Sequence, residues 1–514
     1  MMKLLPSLQL HKRFILSLLL LAVFVWSLTS IYWNAELFHA GGIPTMLQIV
    51  EGLIQPNLEP GLLLVGLESA WVTLAYAVAG MSLAILYAFI VGVLASGTLT
   101  SSKFSRIISK VFFRGILGFT RSIHELIWAW LFVAAVGLSP YAAILALAIP
   151  YGGILGRIFA DMLNDVPNQP IVALQAAGST RLQTLIYGYL PLVWADFISY
   201  TMYRFECAIR SSAIMSFVGL GGLGFQIQLA LADLKYGSLW TFVFFLIALV
   251  IFVDLWSNFV RKGLTDLKRN KRFKSGWLSV LIALILIASS WVYITIGENA
   301  RLSELLSEKN LEYAKMFFSG LLGINQENPA FLNGESWEVA LKLTLETLEM
   351  SIMAIGFSTF VAFITVLPAA RNIADGSLTL KKKWYNWILY GFIRLLYIFS
   401  RSVPELVWAM MIIFIFKPGI LPGALALALH NFGILGKLWA EVIEDMDPRP
   451  IRNLATAGAS KIEILFYGIL PMVLPRFLTY ILYRWEVIMR TTIVVGFVGA
   501  GGLGLEFKLA MSYF

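Results

Sequence analysis

The residues VALQAAGSTRLQTLIYGYLP (172–191) return in pattern as RNLATAGASKIEILFYGILP (452–471). In each copy a run of small residues leads to a glycine. Ala173, Ala176 and Ala177 precede Gly178; Ala455 and Ala457 precede Gly458. The proline of a Leu-Pro pair follows thirteen residues after each glycine, as Leu190-Pro191 and Leu470-Pro471. Alanine favours helix and leaves a thin surface that another protein can approach. Glycine permits a sharp change of direction, and proline suits the first turn of the next helix. Each stretch therefore predicts a short helix lying across one face of the protein, shaped for a groove on a partner. One such loop is weak evidence. Two in register are strong.

The register extends well beyond the loops, at a constant offset of 280 residues. Arg121-Ser122 and Glu125 recur as Arg401-Ser402 and Glu405, YRFECAIR (203–210) as YRWEVIMR (483–490), and FVGLGGLG (217–224) as FVGAGGLG (497–504). A long period with several apolar spans inside it means two whole domains, not a solenoid. The expected division is 1–275, with an anchor helix at 14–33 and a core at 68–260, and 276–514, with an anchor at 277–296 and a core at 346–514. The second unit is read to Phe514, the counterpart of Leu234, so no counterpart of the span at 238–260 is expected within it.

Composition sets the class. The chain is 59% hydrophobic and only 13% charged, and its apolar residues fall in runs near the ~20 residues that cross a bilayer. About eleven spans are expected: 14–33, 68–96, 115–137, 141–162, 191–217 and 238–260, then 277–296, 346–368, 387–416, 422–443 and 472–496. The net charge of +9 does not point to nucleic acid, because Lys and Arg sit in short loops between the spans. Residues 34–67 hold no Lys or Arg, whereas 97–114 carry Lys103, Arg106, Lys110 and Arg114, and 261–276 carry Arg261, Lys262, Lys268, Arg269, Lys271, Arg272 and Lys274. That bias predicts a cytoplasmic N-terminus and places Gly178 and Gly458 in cytoplasmic loops. Cys207 is the only cysteine, and His11, His39, His124 and His430 form no evident ligand cluster, so no metal site is expected.

The charged residues inside the spans are costly there and should be paired or line a path. Arg204, Glu206 and Arg210 share one span, with Arg484, Glu486 and Arg490 as counterparts. Spacings of four set Glu206 by Arg210, Glu486 by Arg490, Arg121 by Glu125 and Arg401 by Glu405 on helix faces. Two readings stand: the pairs clamp helices together, or some arginines supply a positive field for an oxyanion. Trp128 and Trp408, one turn beyond the acids, read as packing residues. His124 stands where the second copy has Pro404, so only the second copy should kink there, and His124 reads as a satisfied interior histidine. Gly219, Gly221, Gly222 and Gly224, with Gly499, Gly501, Gly502 and Gly504, satisfy a dinucleotide-binding glycine pattern without its strand, helix and acid. They read instead as places where backbone bends near an outer gate.

The loop pattern, together with RSIHELIWA and RSVPELVWA and the YR-x-E and FVG-x-GGLG blocks, resembles the permeases of ATP-binding-cassette importers, the phosphonate-type family in particular. That family's loop reads E-A-A-x-x-x-G followed by I-x-L-P; here its leading Glu is Val172 or Arg452, and its Ile is Gly188 in the first copy. The resemblance implies an all-α polytopic protein of two type I importer domains in tandem, in the bacterial cytoplasmic membrane, carrying phosphonate or a related phosphorus oxyanion such as phosphite or a phosphate ester. It implies two ATPase subunits docked on the loops, an extracytoplasmic substrate-binding protein, and ATP and Mg on the ATPase subunits. This chain has no phosphate-binding G-x-x-x-x-G-K-[ST] stretch and is expected to be no enzyme. The alternative from another class is an ion-gradient-driven transporter with parallel repeats.

Overall fold

A computed structural model describes residues 6–31, 33, 37–39, 41–268, 276–300, 303, 307–324, 328–377 and 384–512. Arg269, Lys271, Arg272 and Lys274 of the basic linker, and Phe514, lie outside the described residues. The described chain is helical, with no strand beyond one antiparallel bridge, Phe38 to Phe416. In chain order the first half supplies α1 (Pro6–Leu28), α2 (Pro60–Ser96), α3 (Lys103–Ser122), α4 (Glu125–Val136), α5 (Pro140–Asn164), α6 (Asn168–Ala176), α7 (Leu190–Met215), α8 (Leu223–Ala232) and α9 (Tyr236–Lys268). The second supplies α10 (Gly276–Val292), α11 (Gly334–Ala369), α12 (Trp384–Ser402), α13 (Glu405–Ile413), α14 (Ile420–Glu444), α15 (Arg449–Thr456), α16 (Leu470–Val495) and α17 (Gly502–Ser512).

Local signals place the ends of these helices. Pro60 opens α2 and Gly97, at φ 69°, closes it. Ser139 caps α5 by accepting the Tyr141 N–H, and Asn333 caps α11 by accepting the Glu335 N–H.

Seven helices among the described residues are long and apolar enough to cross a membrane, or nine if each of two bent pairs is one span. The expectation was about eleven. The two expected spans not among them are α7, which carries Asp196, Arg204, Glu206 and Arg210, and α1, of which Ile15–Leu28 is an apolar helix. The expected continuous spans at 115–137 and 387–416 are corrected: each is two helices, α3 with α4 and α12 with α13, bent by 89°.

The core of the first half is a crossing of α2 on α5 through small residues. Gly80, Ala84, Ala88 and Gly92, spaced by four, share a face of α2 and are buried. A Cβ at Gly92 would lie 2.8 Å from the Gly156 carbonyl oxygen of α5. Small residues let helix backbones approach where no water drives association. The second half repeats the face on α11 as Ala354, Ser358, Ala362 and Val366, all buried. Ring stacks also repeat: Phe159 on Phe197 at 4.0 Å between centroids, joining α5 to α7, and Trp439 on Phe477 at 4.2 Å, joining α14 to α16.

The chain divides into two compact units, and they do not follow the expected boundary at 275/276. One unit is Met1–Val50 with Ala330–Tyr513; the other is Glu51–Pro329 with the terminal Phe514. The anchor helices are exchanged. In the first unit Phe24 of α1 lies against Gly356 of α11, where a Cβ would come within 1.9 Å of its ring. The Leu37 carbonyl there accepts the Lys417 N–H at 2.9 Å, and the His39 N–H donates to the Ile415 carbonyl at 3.1 Å. In the second unit Trp291 of α10 donates its indole N–H to Ser82 of α2 at 3.1 Å, and Tyr76 donates to Glu298 at 2.6 Å. Ser82 and Gly356 are equivalent positions of α2 and α11, so each core receives the other half's anchor at the same place. A surface groove selects whichever helix fits it, and chain adjacency adds only a loop-closure term that grows slowly with length.

Candidate functional site: twin loops and broken helices

Both small-residue loops have the same construction. α6 ends at Gly178 with φ 86°, and α15 at Gly458 with φ 88°. The N–H after each glycine bonds back five residues, Ser179 to the Leu174 carbonyl and Ala459 to that of Leu454. The glycine's own N–H reaches the carbonyl of Gln175 or Ala455. These are paired Schellman ends, and no neighbour lies within 4 Å of a Cβ built on either glycine. Glycine is needed for its left-handed backbone, not for space. Ala173, Ala176, Ala177 and Ala457 are exposed and Ala455 is half-buried.

A capping box, which the sequence reading passed over, follows each glycine. Thr180 and Gln183 exchange bonds at 2.9 and 3.3 Å, as do Ser460 and Glu463 at 2.6 and 3.3 Å. The S/T-x-x-E/Q spacing was the available signal. The Ser460 N–H and hydroxyl hold the Glu463 carboxyl below its ordinary value. A short π-helical stretch then leads into Leu190-Pro191 of α7 and Leu470-Pro471 of α16, both half-buried or exposed. The departure at Gly188 has a steric reason: a Cβ there would sit 2.9 Å from Leu174 and 3.0 Å from Ile171 of α6. Gly468 does the same against Ile451 and Leu454. Tyr187 and Tyr467 stand 71% and 78% exposed on the two loops, with Leu182, Ile186, Ile462 and Phe466 beside them.

The two breaks correct the expected Arg–Glu helix faces, because the helix stops between Arg121 and Glu125 and between Arg401 and Glu405. Both copies bend, not only the one with Pro404. His124 takes the corner in the first copy and caps α4, its Nδ1 accepting the Leu126 N–H at 3.2 Å. Trp128 and Trp408 are more than packing. Each donates its indole N–H across the corner, to Thr120 O at 3.4 Å and Ser400 O at 3.2 Å. Glu125 lies 3.6 Å from His124 Nε2 and accepts from the Ser211 hydroxyl. Glu405, buried, lies 3.5 Å from His430 Nε2, while His430 Nδ1 bonds to the Val403 carbonyl at 2.9 Å.

On α7 and α16 the charges are placed differently in the two copies. Glu206 meets Arg261 of α9 at 3.0 Å, and Arg210 points a nitrogen at Cys207 Sγ at 3.6 Å, so the expected Glu206–Arg210 pair is replaced. Glu486 and Arg490 do pair, at 3.6 Å. The cause is cover: the Glu206 side chain is 9% exposed beneath α9, whereas that of Glu486 is 61% exposed. Arg204 donates to the Tyr200 hydroxyl at 2.7 and 3.0 Å, and Arg484 donates to Asn431 of α14. The Arg204 contact lies within α7, and the Arg484 contact joins α16 to α14.

The glycine blocks form tight turns. Gly219, Gly221 and Gly222 have φ of 88, 76 and 85°, and Gly499, Gly501 and Gly502 of 98, 84 and 70°. Gly224 and Gly504 are helical and crowded, a Cβ on either falling within about 2 Å of the Ala213 or Ile493 carbonyl oxygen. Each turn is pinned by a threonine: Thr73 accepts the Leu223 N–H at 2.9 Å and Thr347 the Leu503 N–H at 3.0 Å. These threonines lie 274 apart, not 280, because the chain from Thr347 to Arg401 is six residues longer than that from Thr73 to Arg121. That shift hid the pairing from the sequence.

Residues 88–266 and 376–514 each match the family described as binding-protein-dependent transport system inner membrane component. The chain belongs to that family. It is 27% identical over 470 residues to a phosphate-import permease protein, PhnE, of Mycolicibacterium smegmatis, covering 90% of this chain and 82% of that protein. It is 39% identical over 182 residues to a phosphite transport system permease protein, PtxC, of Stutzerimonas stutzeri, covering 35% of this chain and 60% of that protein. An 81-residue stretch is 46% identical to a putative cryptic phosphonate transport system permease protein, PhnE2, of Escherichia coli K12, covering 16% and 66%. No solved structure matches the chain. Both matched segments contain a Gly-ended loop, a capping box, a break and a glycine turn. The protein is thus a multi-pass membrane permease component with the permease domain present twice.

Proposed function

We propose that this chain is the transmembrane subunit of an ATP-driven importer for phosphonate or a related small phosphorus oxyanion, phosphite and phosphate included. The observation that carries the reading is the pair of Schellman-ended loops, alike to within 2° in the glycine φ, each bearing an exposed apolar patch around Tyr187 or Tyr467. Twin rigid knobs of one shape suit two copies of one ATPase subunit, each receiving α6 or α15 in a groove. Closure of those subunits on ATP and Mg would move α7 and α16, which begin at Leu190 and Leu470 directly behind the knobs. ATP chemistry then resides on the partners. An extracytoplasmic binding protein delivers the oxyanion. The chain sits in the bacterial cytoplasmic membrane with its N-terminus and both knobs inside, as the loop charges favour. The oxyanion class follows the names of the relatives.

The test is uptake of radiolabelled phosphonate, phosphite and phosphate by cells supplying the chain with its neighbouring ATPase and binding protein. Replacing Gly178 and Gly458 together by Val forces a β-branched residue into the left-handed region, at about 1–2 kcal/mol each. Uptake and ATPase recovery with the purified chain should both fall at least about tenfold while the chain stays in the membrane. Uptake that persists without the ATPase and collapses with the ion gradient would install the gradient-driven reading instead.

A further inference from the structure

Two of the chain's four histidines sit at its two breaks, and they come from non-equivalent positions. Position 124 is His in the first copy and Pro404 in the second; position 150 is Pro150 in the first and His430 in the second. The exchange is reciprocal, yet the outcome is the same. Glu125 has an imidazole nitrogen at 3.6 Å, supplied from the corner, and Glu405 has one at 3.5 Å, supplied from α14.

Positions 150 and 430 can reach the same carboxylate because the crossing of α5 on α3 is repeated by α14 on α12. Gly153 approaches Thr120 and Arg121, and Gly433 approaches Tyr397 and Arg401, each too closely for a Cβ. Gly156 and Gly436 repeat the contact one turn on, against Leu117 and Tyr397. Both histidines and Pro150 are buried. Were His124 only a corner residue, Pro404 would show that no imidazole is required in the second copy. Were His430 only filler, Pro150 would show the same for the first. What survives the exchange is the imidazole–carboxylate contact at the start of the short helix. A carboxylate inside a membrane protein is costly without a polar neighbour, and an imidazole nitrogen within 4 Å is the uncommon neighbour chosen twice.

We propose that His124 and His430 are positioning residues with one role: each holds the carboxylate at the head of its broken helix, and passage of substrate requires one imidazole per half, at either of the two positions. The inference rests on the importer reading. His124→Asn keeps a good helix cap but removes the imidazole. It should lower uptake of labelled phosphite, phosphonate and phosphate at least about tenfold per assembled chain. Adding Pro150→His to it should restore uptake to within about threefold. The mirror pair, His430→Asn with and without Pro404→His, should behave alike. A purely capping role predicts that His124→Asn imports as the unaltered chain does; that result, or failure of the added histidine to restore uptake, overturns the proposal. If the unaltered chain imports none of the three anions, the importer reading has failed. The pair is then judged by protease resistance of the purified variants, where loss and rescue support it and no rescue overturns it. Should His124→Asn not reach the membrane, recovery of assembly by Pro150→His supports the pair and absence of recovery ends it.

Discussion

The first break turns on a histidine that caps the following helix, the second on a proline, and both bend by 89°. A corner residue that differs while the angle does not cannot be what sets the angle. The shared features are the glycine crossing behind the corner, at Gly153 or Gly433, and the tryptophan that spans it, Trp128 or Trp408. The bend is a property of packing, and His124 and Pro404 are two ways of tolerating it.

The comparison breaks or sharpens most directly at the crossing. Leu at Gly153 or Gly433 would place its Cβ 2.4 Å from the Thr120 hydroxyl or 2.6 Å from the Tyr397 carbonyl oxygen. Each should cost about 2–3 kcal/mol and sharply reduce folded chain in the membrane, whereas Pro404→Ala should cost less than about 1 kcal/mol. Thermal unfolding in detergent reads both, and the comparison fails if the proline variant is the more damaged.

The exchanged anchors give the next effect. Phe24→Ala should cost about 2 kcal/mol by leaving a hole over Gly356, and Trp291→Phe about 0.6 kcal/mol by losing one hydrogen bond. Hydrogen exchange should quicken in α11 for the first variant and in α2 for the second. The reverse would return each anchor to its own half.

The smallest difference lies in the capping boxes. The Glu463 carboxyl is held below its ordinary value of 4.5, so the box gains stability above that value and loses it as pH falls through the lower, folded-state value. Gln183 does not titrate. Amide protection at Ser460 should therefore fall in acid while that at Thr180 holds, and Glu463→Gln should abolish the contrast.

Much of the site was legible in one dimension. The turns at Gly178 and Gly458 and in the two glycine blocks fall at the residues the pattern marked, because caps and turns are local features. The capping boxes were legible too and were passed over. The pairings on α7 were not. Spacing set Glu206 by Arg210, but α9 brought Arg261 nearer, and no local rule foretells what covers a helix face. Thr73 and Thr347 escaped because six extra residues ahead of Arg401 broke the register.

By itself the amino-acid order established a doubled, membrane-spanning helical chain with twin glycine-ended loops, since hydropathy, propensity and repetition act over a few turns at most. Only the tertiary structure decided that the spans at 115–137 and 387–416 are broken and that α1 and α10 exchange cores. It alone showed that His124, at a corner, and His430, on α14, lie beside equivalent carboxylates. Those outcomes depend on which surfaces fit at close approach, and shape complementarity between distant segments leaves no periodic trace along the chain.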